Sequence, residues 1–82
     1  MSAASGADSS PIGLVGRIVT ASRGQDGPGE VELDIRGGRE TFIAISSEPI
    51  ALGDSVIVLA DLGPRRVEVC PWDYPFASTL DT

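Results

Sequence analysis

Apolar and polar residues alternate with a period of two along most of the chain, and no stretch of a dozen residues carries the spacing of an amphipathic helix. The clearest case is Glu30 to Arg36, where Glu30, Glu32, Asp34 and Arg36 alternate with Val31, Leu33 and Ile35. That pattern predicts a strand with one wet face and one buried face. Before it, Leu14 to Thr20 is rich in β-branched residues and predicts a first strand, with Gly13 and Gly16 marking a bend or bulge. The intervening Ser22–Gly29 stretch is polar and glycine-rich, so it predicts a mobile loop. Gly37-Gly38 predicts a two-residue hairpin that sets Arg36 opposite Arg39 and Leu33 opposite Phe42, with a third strand over Arg39 to Ile45. Ser46 to Gly53, punctuated by Pro49 and Gly53, is a connector too short for more than a helical turn. A fourth strand follows over Asp54 to Ala60, then a turn at Leu62-Gly63-Pro64 and a fifth strand over Arg65 to Cys70.

Five short strands with glycine-bearing bends predict an all-β fold, a small OB-like barrel in which closing the sheet removes most exposed edges. An SH3-like barrel is the nearest competitor, and only the strand order and the third-to-fourth connection separate the two. The expected organisation is a disordered N-terminal segment over residues 1–11, the barrel over 12–70 and an aromatic, proline-containing tail over 71–82. Eighty-two residues enclose one core and not two.

Charge narrows the partners. Six arginines, no lysine and twelve carboxylates give a net charge of −6, so nucleic acid and anionic lipid surfaces are repelled over most of the protein. A basic or neutral protein surface fits better. Cys70 is the only cysteine, which excludes an internal disulfide and a cysteine-based zinc site; it reads as a small apolar residue closing the last strand rather than a reactive thiol. The first ten residues have neither a positive nor an apolar targeting region, and the longest apolar run, Val56 to Ala60, is far short of a bilayer span.

Three stretches carry a family resemblance. Gly13-Leu14-Val15-Gly16-Arg17-Ile18-Val19-Thr20, Gly29 to Arg39, and Ile50-Ala51-Leu52-Gly53-Asp54-Ser55-Val56-Ile57-Val58 follow one another in the order G-x-x-G-x-[AIV]-x-T, G-x-V-x-[IVL], hairpin, I-x-x-G-x-x-V-x-V. In that order and spacing, residues 13 to 70 resemble the C-terminal soluble domain of NfeD-like proteins. The resemblance implies an OB-fold module that follows membrane spans and is associated with stomatin-like (SPFH) membrane proteins; some relatives carry a serine-protease domain. It implies no catalytic residue for this chain. Glu30, Glu32 and Asp34 depart from the family's basic or mixed surface strand, and the residues after Pro71 lie outside the pattern.

The inventory of reactive groups points the same way. Without histidine the chain has no usual general base and lacks the commonest metal ligand; without lysine it has no phosphate-loop lysine and no Schiff-base or lipoyl attachment site. No catalytic residue, cofactor or metal is therefore expected. The acidic row Glu30, Glu32, Asp34 is either a docking face or cation site, or simply the solvated side of a strand. Arg36-Gly37-Gly38-Arg39 is better explained by a hairpin than by an RNA contact, and Arg65 and Arg66, with Arg17, form at most a small basic patch. Trp72, Tyr74 and Phe76 alternate in the tail and share one side if it is extended, either as a binding strip or as a cap on the barrel.

The expected function is a non-catalytic protein-interaction module, cytoplasmic or tethered to a membrane through a further segment or a stomatin-like partner. The partner-binding candidates are Trp72, Tyr74, Phe76, Glu30, Glu32 and Asp34. An oligonucleotide-binding OB domain is the alternative, and pairing between strand edges leaves a homo-oligomer open.

Overall fold

The computed structural model describes residues 10–72. Among these residues seven strands form: β1 (Val15–Thr20), β2 (Ser22–Arg23), β3 (Gly29–Ile35), β4 (Gly38–Ile45), β5 (Pro49–Ile50), β6 (Ser55–Gly63) and β7 (Arg66–Pro71). A single turn of 3-10 helix, Gly24–Asp26, lies between β2 and β3.

The five long strands close a barrel in the order β1-β3-β4-β7-β6. Every pair is antiparallel except β4 with β7, which run parallel. A run of sequential hairpins would make each neighbour antiparallel. The parallel pair arises because the chain leaves β4, crosses the barrel end and lays down β6 beside β1 before β7 closes the gap. This order is that of an OB barrel and excludes the SH3-like alternative. The core is aliphatic: Ile18, Val31, Leu33, Ala44, Val56, Val58, Val67 and Val69 are buried inside the barrel, and Ile50 plugs one end. Leu14, Ile35 and Phe42 pack around it half-buried.

The β3–β4 hairpin differs from expectation by two residues. Ile35 pairs with Gly38, so the turn residues are Arg36 (φ 56) and Gly37 (φ 80) rather than the two glycines. A tight turn matched to strand twist needs positive φ at both positions, and Arg36 accepts that cost while Gly38 becomes the first ladder residue. Val31, not Leu33, therefore lies opposite Phe42. A shift of two preserves the alternation of faces, which is why the inward and outward residues were assigned correctly.

The stretch expected to be a mobile loop is built instead. Ser22 and Arg23 pair with Ile50 and Pro49 in a two-stranded sheet. Beneath it, Ser22 Oγ and Ser46 Oγ share a buried hydrogen bond of 2.7 Å; Ser46 Oγ donates to the Glu48 carbonyl at 2.8 Å, and the Gly24 N–H donates to Ser22 Oγ at 3.2 Å. These bonds fasten the β1–β3 loop to the β4–β6 connector and close that end of the barrel. Ser46→Ala leaves a buried hydroxyl and a carbonyl short of a partner, so a loss of about 1–3 kcal/mol is expected in urea unfolding. Ser47→Ala, at an exposed neighbouring position, should change little.

The turn between β6 and β7 also moves. It consists of Pro64 and Arg65, with Arg65 at φ 58, and β6 runs on through Leu62 to Gly63.

Candidate functional site

Residues on the outward side of the barrel are the ones open to a partner. On β3 these are Glu30, Glu32 and Asp34, and the register sets Ile43, Thr41 and Arg39 of β4 beside them. The acidic row is not a bare negative stripe. Arg39 lies between two of its members, 3.8 Å from Glu32 and 3.6 Å from Asp34, and Glu30 accepts a hydrogen bond of 2.7 Å from the Thr20 hydroxyl. Arg17 is the register neighbour of Glu32 on β1. The charges on this side therefore alternate, around a shallow groove of about 320 Å³ lined by Val15, Arg17, Glu32, Asp34, Arg39 and Ser55. Exposed ion pairs of this kind contribute little to stability; their effect is to lower the field the strand presents to a partner. No group of three or more potential ligand side chains is placed to hold a metal ion among the described residues.

The basic residues do not converge. Arg17 sits beside Ser55 at the start of β6, whereas Arg66 pairs with Gly63 at its far end. Arg65 is engaged by its own neighbours. Its guanidinium lies 3.2 Å from Glu40, donates to the Thr41 carbonyl at 3.3 Å and stacks over Phe42 at 5.6 Å. Phe42 points inward, so among the described residues the outward side of β3 and β4 offers no aromatic platform for bases. The β1–β3 loop, one of the two that grip oligonucleotides in OB folds, is pinned by the serine network.

Trp72 continues the line of β7. Its backbone N–H donates to the Ser55 carbonyl at 2.9 Å and its side chain is half-buried. Tyr74 and Phe76, the other members of the alternating trio, lie outside the described residues, as does most of the N-terminal segment. Cys70 is half-buried beside Ile57.

Sequence reasoning passed over an apolar row on the outside of the barrel: Val15, Ile57 and Cys70 lie side by side across β1, β6 and β7. Leu59 is exposed on β6 near this row. The signal was present in the uninterrupted run Val56 to Ala60, whose alternate residues must face outward in any strand. Also missed was the half-open edge of β4, which depends on how far β7 runs and has no local signature.

Comparison with known proteins identifies the relatives. The soluble domain of the NfeD protein YuaF from Bacillus subtilis superimposes with a TM-score of 0.60 at 33% identity, covering 72% of this chain and 70% of that one. The C-terminal domain of the stomatin operon partner protein 1510-C from Pyrococcus horikoshii gives 0.58 at 26% identity, covering 77% and 89%. No curated protein is significantly similar to the chain. The sequence profile of the NfeD C-terminal domain matches residues 15–70, from the first barrel strand to the last, and the chain belongs to that family.

Proposed function

We propose that this domain is a non-catalytic adaptor that holds a membrane-associated, stomatin-like protein. The observation that carries the reading is its kinship with the stomatin operon partner domain, 89% of which it covers. The chemistry of the chain supports a binding role: without histidine or lysine it lacks the groups that most often move protons or form covalent intermediates. Attachment to a membrane would come from a further segment or from the partner, since no helix among the described residues is long and apolar enough to cross one.

The test is a pull-down with the tagged domain from detergent-solubilised membranes and from cytosol, with and without nuclease. Recovery of a stomatin-like protein from the membrane fraction is expected, unaffected by nuclease. Recovery of nucleic-acid-associated proteins that disappears with nuclease would overturn the reading. In the same assay Trp72→Ala should reduce capture if the start of the tail belongs to the binding strip. A fall in thermal stability with capture intact would make Trp72 part of the barrel's packing instead.

A further inference from the structure

The barrel is closed along only part of β4. Residues Gly38 to Ile45 pair with β3 on one side, but on the other side β7 meets only Ile43, Ala44 and Ile45. In an antiparallel ladder, alternate residues turn their backbone groups to opposite sides. The Ile43 N–H donates to the Arg65 carbonyl on the β7 side, so Thr41 and Arg39 direct their N–H and C=O groups to that same side. Among the described residues no strand pairs with them there. Beside this edge lies a cleft of about 500 Å³ between β4 and the β6–β7 turn, with Ile35, Phe42 and Pro64 among its apolar lining and Arg36, Glu40, Asp61 and Arg65 as its charged residues.

Arg65 occupies the edge. It adopts φ 58, a conformation costly for a residue with a Cβ and one that glycine would take more cheaply. Strain that persists at an exposed turn directs attention to what the side chain does. Here it makes three contacts at once: an N–H to the Thr41 carbonyl, a positive charge against Glu40, and a flat cation over the Phe42 ring. These are the contacts an added strand with a basic side chain would make, namely a backbone N–H for the carbonyl and a cation for the carboxylate and ring.

We propose that the Gly38–Phe42 edge of β4 is a strand-addition site for an extended, basic segment of a protein partner, and that Arg65 covers the edge while it is empty. The occupant's chemistry follows from the surroundings. The cleft lining is charge-balanced, Glu40 and Asp61 against Arg36 and Arg65, so the preference comes from Arg65 itself: once it moves aside, Glu40 and the Phe42 ring each lose the cation they now hold, and a basic side chain replaces it. A second copy of this chain fits poorly, because antiparallel pairing of two such edges through Arg39 and Thr41 sets Glu40 opposite its own counterpart. The inference rests on the adaptor reading, to which it adds a docking site.

The experiment uses a synthetic peptide of alternating Lys and Val, with fluorescence anisotropy for affinity and amide hydrogen exchange for location. Two controls accompany it: an alternating Glu and Val peptide, and the Lys peptide N-methylated at every second residue. Arg65→Gly relieves the backbone and uncovers the edge, so it should bind the Lys peptide roughly tenfold more tightly than the unsubstituted domain. New protection from exchange should appear at Arg39 and Thr41. Glu40→Lys should abolish binding, as should N-methylation. Equal affinity for the N-methylated peptide, or no gain from Arg65→Gly, would overturn the proposal by showing that charge alone attracts the peptide. The two readings fail separately. Capture of a stomatin-like protein that is indifferent to Glu40→Lys would leave the adaptor standing and remove the edge. Peptide binding at the edge without such capture would do the reverse.

Discussion

Replacing Leu33 with Ala should leave the domain largely unfolded at 25 °C. Leu33 is fully buried at the centre of β3, in a core made of only nine buried apolar residues among those described, none larger than Leu or Ile. Truncation removes the transfer free energy of the lost carbons and leaves a cavity whose walls are strands of a closed barrel, tied to neighbours on both sides. Such walls cannot collapse far, so the cost belongs in the upper part of the range for buried Leu→Ala, about 3–5 kcal/mol. A domain this small gains only about 3–5 kcal/mol net from its core. The two magnitudes match, and far-ultraviolet circular dichroism with a urea titration should show no folded baseline. Leu33→Met, which conserves volume, should remain folded with a loss below about 1.5 kcal/mol. A cooperative transition for Leu33→Ala within 1 kcal/mol of the parent would mean that the barrel interior is loosely filled.

The legibility of this fold in the sequence follows the range over which each feature is determined. Faces of strands are set by neighbours two residues apart, and the alternation around Val31, Leu33 and Ile35 fixed them even where the hairpin register was wrong by two. Turn position depends on which residue takes a positive φ. Two adjacent glycines in Arg36-Gly37-Gly38-Arg39 made the later pair look cheapest, whereas the register demanded by the barrel places Arg36 in the turn. Long-range closure was not legible at all. That Ser22 reaches Ser46 across 24 residues, or that β7 stops short of the first half of β4, depends on the crossing of the barrel end.

The candidate site shows the same division. The acidic row was read correctly as an outward face, but its partial neutralisation by Arg39 arises across strands and is invisible to a pattern along one of them. Arg65 was read with Arg66 as a basic patch; the turn instead sends it back over Phe42 and Glu40. What distinguishes the two arginines is backbone conformation, since only Arg65 occupies the left-handed region. With two of the three members of the acidic row shared by Arg39, attention moves to the cleft, where Glu40 is paired with Arg65 at the exposed β6–β7 turn.

Gly16→Ala should destabilise the domain by about 2–3 kcal/mol, more than the same change at Gly13, although only Gly13 has a backbone suited to glycine. Gly13 lies at φ +88 with open space where a Cβ would go, so alanine there costs only the left-handed conformation, about 1 kcal/mol. Gly16 has no such φ. A Cβ at that position would lie 2.5 Å from the Glu32 carbonyl oxygen, 2.5 Å from a methyl of Leu33 and 2.9 Å from a methyl of Val31, closer than atoms approach without one of them moving. The Leu33 methyl can rotate away, and the Val31 methyl needs to move only a few tenths of an ångström. The carbonyl oxygen is part of β3, held by ladders to β1 and β4, so the two strands must separate to make room. A double-mutant cycle separates the Leu33 contact from the remainder, in which the Glu32 carbonyl is the tightest. With Leu33→Val, which withdraws the conflicting methyl, Gly16→Ala should still cost at least half of its original value, because the clash with the backbone remains. If the cost vanished in that background, the close approach of β1 to β3 would be a matter of side-chain packing, and any small residue would serve at position 16. Measured by urea unfolding, a penalty that persists there and again with Val31→Ala would show that Gly16 is required by the distance between two strand backbones, the quantity that sets how tightly this barrel closes.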